Sequence, residues 1–266
     1  MKILTILNSI LILGLTGAFD LSAQTNDEYL GMLKSNLTEG SLTEQINTCQ
    51  LIEWSGLTDP SIYNVIEENL LESYQTGGEK LEIERNVWCV KALSFSGNKK
   101  YLDTINKITK DAKNKRVRGY AEQSKTELER RVAWNPIINE GLIDYDHSSM
   151  LMRFVNMLNS NVPELQRIAA KRIVFDSLRD RNIENSLGQN LRQSMSVKFQ
   201  KLEIDAAAWM IRAISVNSCL QHTALLSDLA LNARAMKIRK YAKKAIAVCD
   251  VARSVNNSII EPVTEG

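Results

Sequence analysis

Turn formers are scarce in this chain: four prolines and twelve glycines in 266 residues. A strand-and-turn fold would need more of both, and the runs rich in Leu, Ile, Ala, Lys and Glu favour helices. Only two histidines are present, His147 and His222, and the four cysteines form no CxxC pair, so zinc has no ligand set. His147 follows Asp144 and Asp146, but calcium asks for more oxygen ligands at loop spacing, and Asp146 reads as a helix cap. Neither a Gly-rich phosphate loop nor a GxSxG elbow occurs. No catalytic residue, cofactor or metal is therefore expected. Past residue 15 no apolar run is long enough for a membrane span.

Met1 and Lys2 precede an apolar run over residues 3–15 and a small-residue stretch ending Leu21, Ser22, Ala23 before Gln24. One positive charge, a short apolar core and a small residue at the cut read as a secretory signal peptide. Cleavage near Ala23 and a periplasmic or secreted location are expected. No cysteine follows the cut to carry a lipid anchor.

What the chain does have is a copy of itself. KLEIERNVW, from Lys80, returns as KLEIDAAAW, from Lys201, and the offset of 121 residues holds without a gap over residues 59–128. Seventeen of those seventy pairs are identical, among them Asp59 with Asp180, Leu70 with Leu191, Trp88 with Trp209, Arg118 with Arg239 and Tyr120 with Tyr241. A periodic array buries its apolar faces only against neighbouring units, so duplication predicts architecture before any single residue is interpreted. Apolar residues recur at three and four, as in Ile83, Val87, Val90, Leu93 and in Leu102, Ile105, Ile108, Ala112, the mark of amphipathic helices. Breaks at Thr58-Asp59-Pro60, Gly77-Gly78, Ser96-Gly97-Asn98 and Lys113-Asn114 supply cap and turn chemistry. The pattern predicts about six helices per half, in three antiparallel pairs of roughly forty residues.

Lys115-Arg116-Val117-Arg118-Gly119-Tyr120-Ala121 and its copy Met236-Lys237-Ile238-Arg239-Lys240-Tyr241-Ala242 resemble the second helix of a HEAT repeat, with a third version at Leu165-Gln166-Arg167-Ile168-Ala169-Ala170. The resemblance to the HEAT/armadillo family covers nearly the whole mature chain. It implies an all-α fold, a right-handed α-solenoid of about six HEAT-like helix pairs, in which the arginine braces the turn of an adjacent unit. The expected layout is a leader over residues 1–23, a first half over 24–130, a packed connector over 131–147, a second half over 148–255 and a flexible tail over 256–266. Pro136 should end or bend the helix before it.

Residues 24–146 carry 15 basic against 20 acidic side chains, and residues 147–266 carry 17 against 10. The basic half suits an acidic partner or head-to-tail association. Its densest charge is Arg234, Lys237, Arg239, Lys240, Lys243 and Lys244, with Lys237, Lys240 and Lys244 on one helix face. Trp88 and Trp209 occupy duplicate positions and read as core, as does Trp54 opposite Phe175; Trp134 lies beyond the duplicated stretch and is the tryptophan to suspect in a groove. His222 stands where the first half has Tyr101, a half-buried aromatic position. Cys49 and Cys89 sit on parallel helices about 8–10 Å apart and read as buried thiols. Cys219 and Cys249 are a candidate disulfide.

The function expected is an exported, non-catalytic protein-interaction scaffold of the HEAT type with a protein partner, using Lys237, Lys240, Lys243, Lys244 and Trp134. The alternative is a HEAT-like nucleic-acid-binding protein or enzyme acting through the basic helices and Trp134; an exported chain would meet little genomic DNA.

Overall fold

Local cap chemistry sets the helix starts. Asp59 accepts from the Ser61 backbone N–H at 2.8 Å with Pro60 at the first helical position, where proline loses no bond. Ser41 and Glu44 form a reciprocal capping box, Asn114 accepts from the Arg116 N–H, and Asp180 accepts from Asn182 and Ile183. The computed structural model describes residues 26–260 apart from 77, 146, 194, 196–199 and 218. The expected leader, Asp146 and residues 261–266 lie outside the described residues.

Twelve α-helices are described: α1 (Asn26–Thr38), α2 (Leu42–Leu51), α3 (Pro60–Ser73), α4 (Lys80–Phe95), α5 (Leu102–Asp111), α6 (Lys115–Ile138), α7 (His147–Asn159), α8 (Pro163–Phe175), α9 (Arg181–Gln193), α10 (Lys201–Asn217), α11 (Thr223–Asn232) and α12 (Met236–Ile260). Among the described residues there is no strand. The 121-residue offset carries α1 onto α7 and α5 onto α11 end for end, and brings the short 3-10 turn Lys99–Tyr101 onto Cys219–His222. Consecutive helices pack in pairs, and the even-numbered ones pack in series, α2 on α4 on α6 and α8 on α10 on α12. The result is an all-α solenoid in two tandem halves. Each half has its own apolar core: Leu33, Ile66, Leu93 and Leu128 belong to the first, and Leu158, Leu187, Ile211 and Leu229 to the second.

The expected boundaries move in two places. α6 does not stop at 130 but runs through Pro136 to Ile138, so about half of the proposed connector is helix. Proline costs only the bond to the Val132 carbonyl there, near the helix end. This long helix serves both cores, giving Val117, Ala121 and Leu128 to the first and Trp134 and Ile138 to the second. At the other end α12 continues to Ile260, past the expected tail start at 256.

The two duplicated arginines brace a nearer turn than the resemblance implies. Arg118 Nη1 donates to the Ala112 and Lys113 carbonyls, and Arg239 Nη1 to those of Ala233 and Arg234. Each caps the end of the preceding helix within its own pair. In α8 the role passes to Gln166, whose amide donates to the Leu158 and Ser160 carbonyls, while Arg167 turns to Asp205 at 3.7 Å. Charged donors to helix-end carbonyls are worth about 1.5–3 kcal/mol. Arg118→Ala should therefore lower stability by about 2 kcal/mol, read as a shift of the urea midpoint at unchanged slope; a shift equal to that of the exposed control Lys115→Ala would show the brace to be idle.

Candidate functional site

Where the halves meet, the even-layer series breaks. α6 packs on α7, and α6 and α8 have no comparable contact. Between them lies a cleft of about 430 Å³. Trp134, in the last turns of α6, forms one wall, with Trp54 just past α2, Phe95 at the end of α4, Tyr120 on α6 and Ile168 on α8. The charged groups at its edge are Glu53, Glu127 and Glu164 against Lys91 and Arg130. Arg130 spans the opening, 3.9 Å from Glu127 on its own helix and 3.8 Å from Glu164 on α8. Lys91 Nζ stands 3.4 Å from the Trp88 ring centroid. Burial pulls the Lys91 ammonium below its ordinary pKa, while Glu53 and Glu127 push it back up.

Beside the cleft Arg131 is almost wholly buried, at 1% exposure. Its guanidinium lies 3.8 Å from the Trp54 ring centroid and 4.9 Å from that of Phe95. It donates at 2.7 Å to Glu127 and at 2.7 Å to the Glu53 carbonyl. A second buried arginine, Arg153, donates to Asn139 and to the Asp144 carbonyl. Asn139 donates in turn to the Gly56 carbonyl, and Gly56 has φ +69° with Asn139 and Arg153 where a Cβ would stand. Polar groups from both halves thus fix the walls of the cleft. The network is not complete, since Arg131 Nη2 is buried without a hydrogen-bond partner.

The structure separates the residues that the sequence offered as one site. Trp134 lines the cleft, whereas Lys237, Lys240, Lys243 and Lys244 are exposed on α12 and do not line it. Lys237 donates to Asp205 at 2.6 Å; that bond, helped by the charges of Lys237 and Arg167, holds the Asp205 carboxyl below its usual pKa against the pull of burial. Trp88 and Trp209 are half-buried and pack against the first and second cores respectively, and each carries a cation at the duplicated position, Lys91 on the first and Arg212, 5.0 Å away, on the second. Phe175, the aligned counterpart of Trp54, is 60% exposed. His222 is half-buried, and burial lowers its pKa.

Cys219 and Cys249 are joined, with Cα atoms 5.4 Å apart. Cys49 and Cys89 are free and buried. The Cys49 thiol bonds to Cys89, and that bond together with burial pushes it well above the ordinary thiol range. Among the described residues no group of three or more His, Cys, Asp or Glu could hold a metal ion, and no described helix is long and apolar enough to cross a membrane.

Sequence reasoning missed Glu53, Lys91, Tyr120, Glu127, Arg130, Arg131 and Glu164. One signal was available: Trp54, Phe95, Trp134 and Phe175 recur at intervals of 41, 39 and 41 residues, one aromatic just past α2 and one towards the far end of each of α4, α6 and α8. Arg131 lies just past the duplicated stretch, where the same offset falls on Ala252. The class that fold and cleft define is an all-helical solenoid with a groove at its internal junction. No family model, curated protein or solved structure matches the chain.

Proposed function

We propose that this chain is an exported, non-catalytic interaction scaffold of the HEAT-repeat type, and that the cleft between α6 and α8 grips a short segment of a partner protein. The cleft itself carries the reading: its volume falls in the range of ordinary ligand pockets, and its aromatic walls and few convergent charges suit an apolar anchor flanked by polar peptide groups. Rigid stacked helices would hold it ready without refolding. The leader and the Cys219–Cys249 bridge support an oxidising, extracytoplasmic location.

The nucleic-acid alternative would use Trp134 and the lysines together. They stand on different surfaces, and the cleft around Trp134 holds three carboxylates against two cations, the wrong balance for a phosphate backbone.

Selection of random displayed peptides against the folded chain tests the proposal. Selected peptides should lose about tenfold or more in affinity, roughly 1.4 kcal/mol, on Tyr120→Ala and on Glu164→Arg. Both side chains are only half-buried, so the helical signal should be unchanged. Peptides that bind both variants as well as they bind the parent would remove the cleft from the function.

A further inference from the structure

The internal junction has a counterpart on the surfaces of α12 and α2. α6 faces the cleft with Tyr120, Gln123, Glu127 and Arg130, and α8 faces it with Glu164 and Ile168. Shifted by 121 residues, the first set becomes Tyr241, Lys244, Val248 and Val251 on α12, and the second, shifted back, becomes Thr43 and Asn47 on α2. The first half ends against α7; among the described residues no helix is packed over the corresponding face of α12 beyond α10 and α11. Val248 and Val251 are 49% and 64% exposed there. On α2, Thr43, Asn47 and Leu51 form one stripe at spacings of four; all three are exposed, Leu51 at 50%.

Charge says which surface belongs on which. Residues 26–51 carry four acidic side chains against one lysine, and residues 223–251 carry six basic against two acidic. The two units are therefore opposite in sign, and the α12 surface is edged by exposed Lys240, Lys243 and Lys244.

We infer that the occupant of the α12 surface is a second copy of this chain, docked head to tail, with its α2 stripe set directly against α12. The contact is heterologous and does not close on itself, so copies add in a row rather than stopping at a symmetric dimer. Burial of the valines and Leu51 supplies the apolar part. Attraction between the acidic first pair and the basic last pair speeds encounter and fades with salt. The inference is independent of the peptide-binding reading, because none of the α12 or α2 residues it uses lines the cleft.

Sedimentation of the purified full chain over a concentration series tests it, at low salt and at about 0.5 M, where the Debye length falls well below the reach of surface charges. The mean mass at low salt should rise at least about twofold with concentration and return towards monomer in salt. Two variants give the sharper result: a blocked tail, Lys244→Glu with Val248→Glu, and a blocked head, Thr43→Lys with Leu51→Lys. Each alone should stay monomeric. Mixed, they retain one good head and one good tail between them, so they should form a one-to-one dimer and nothing larger; that recovery also shows that both variants are folded. A parent chain that remains monomeric at its solubility limit in low salt overturns the inference and leaves the basic surface to an acidic partner of another kind. Dimers formed by either variant alone, or no dimer from the mixture of a parent that does associate, overturn it in favour of a symmetric contact.

Discussion

Arg131→Ala is expected to lower folding stability by about 3–5 kcal/mol, the usual result of truncating a large, fully buried side chain that also carries hydrogen bonds. Three losses combine. The guanidinium is 1% exposed and sits against Trp54 and Phe95, so truncation opens a cavity between two aromatic rings. The Glu53 carbonyl loses its 2.7 Å donor, and Glu127 loses a charge-assisted bond of the same length. The position magnifies these losses, because α6 serves both cores and Arg131 lies between Leu128 of the first and Trp134 of the second. Arg131→Met separates packing from bonding: it restores most of the volume and should recover part of the loss. Arg130→Ala, one residue away but 48% exposed, should stay within about 1 kcal/mol. Urea unfolding of the three variants reads this out, and an Arg131→Ala midpoint no lower than that of Arg130→Ala would show the buried arginine to be dispensable.

Cys219→Ser should cost about 3–4 kcal/mol. The bridge closes a loop with a sequence separation of 30, and restricting the unfolded chain over a loop of that length is worth about 3.7 kcal/mol in the chain-entropy account. It ties the 3-10 turn before α11 to α12, holding the α11–α12 pair together. Reductant supplies the internal check. It should lower the unfolding midpoint of the parent by the same amount and leave Cys219→Ser unmoved, since Cys49 and Cys89 are already thiols. A parent indifferent to reductant would mean that the bridge does not form in the folded protein.

Most of the helical layout was legible because its causes are local. Asp59 with Pro60, Asn98 and Asn114 each bond a backbone N–H two residues on, so the expected breaks became helix ends. The exceptions are where tertiary packing outweighs a local signal. Pro136 reads as a stop, yet α6 passes it because Trp134 and Ile138 are held in the second core on either side. Trp54 and Phe175 are aligned positions, yet Phe175 stands 60% exposed, because Trp54 lies at the junction between the halves and Phe175 does not. The cleft was legible only through Trp134. Its charged residues sit at helix positions that look like ordinary solvated faces, and nothing in their spacing says that α6 and α8 part company.

By itself, the sequence determined the all-helical class, the duplication and the sites of the caps, since periodicity and capping act within a few residues and an ungapped repeat imposes equivalent packing on both halves. Only the tertiary structure decided where the array opens. That depends on how the second half is set against the first, and the groups that set it, Arg131 on the Glu53 carbonyl, Asn139 on Gly56 and Arg153 on Asn139, are as much as 83 residues apart. Bonds of that reach leave no periodic trace in a sequence, because each is a single departure from the repeat rather than part of it.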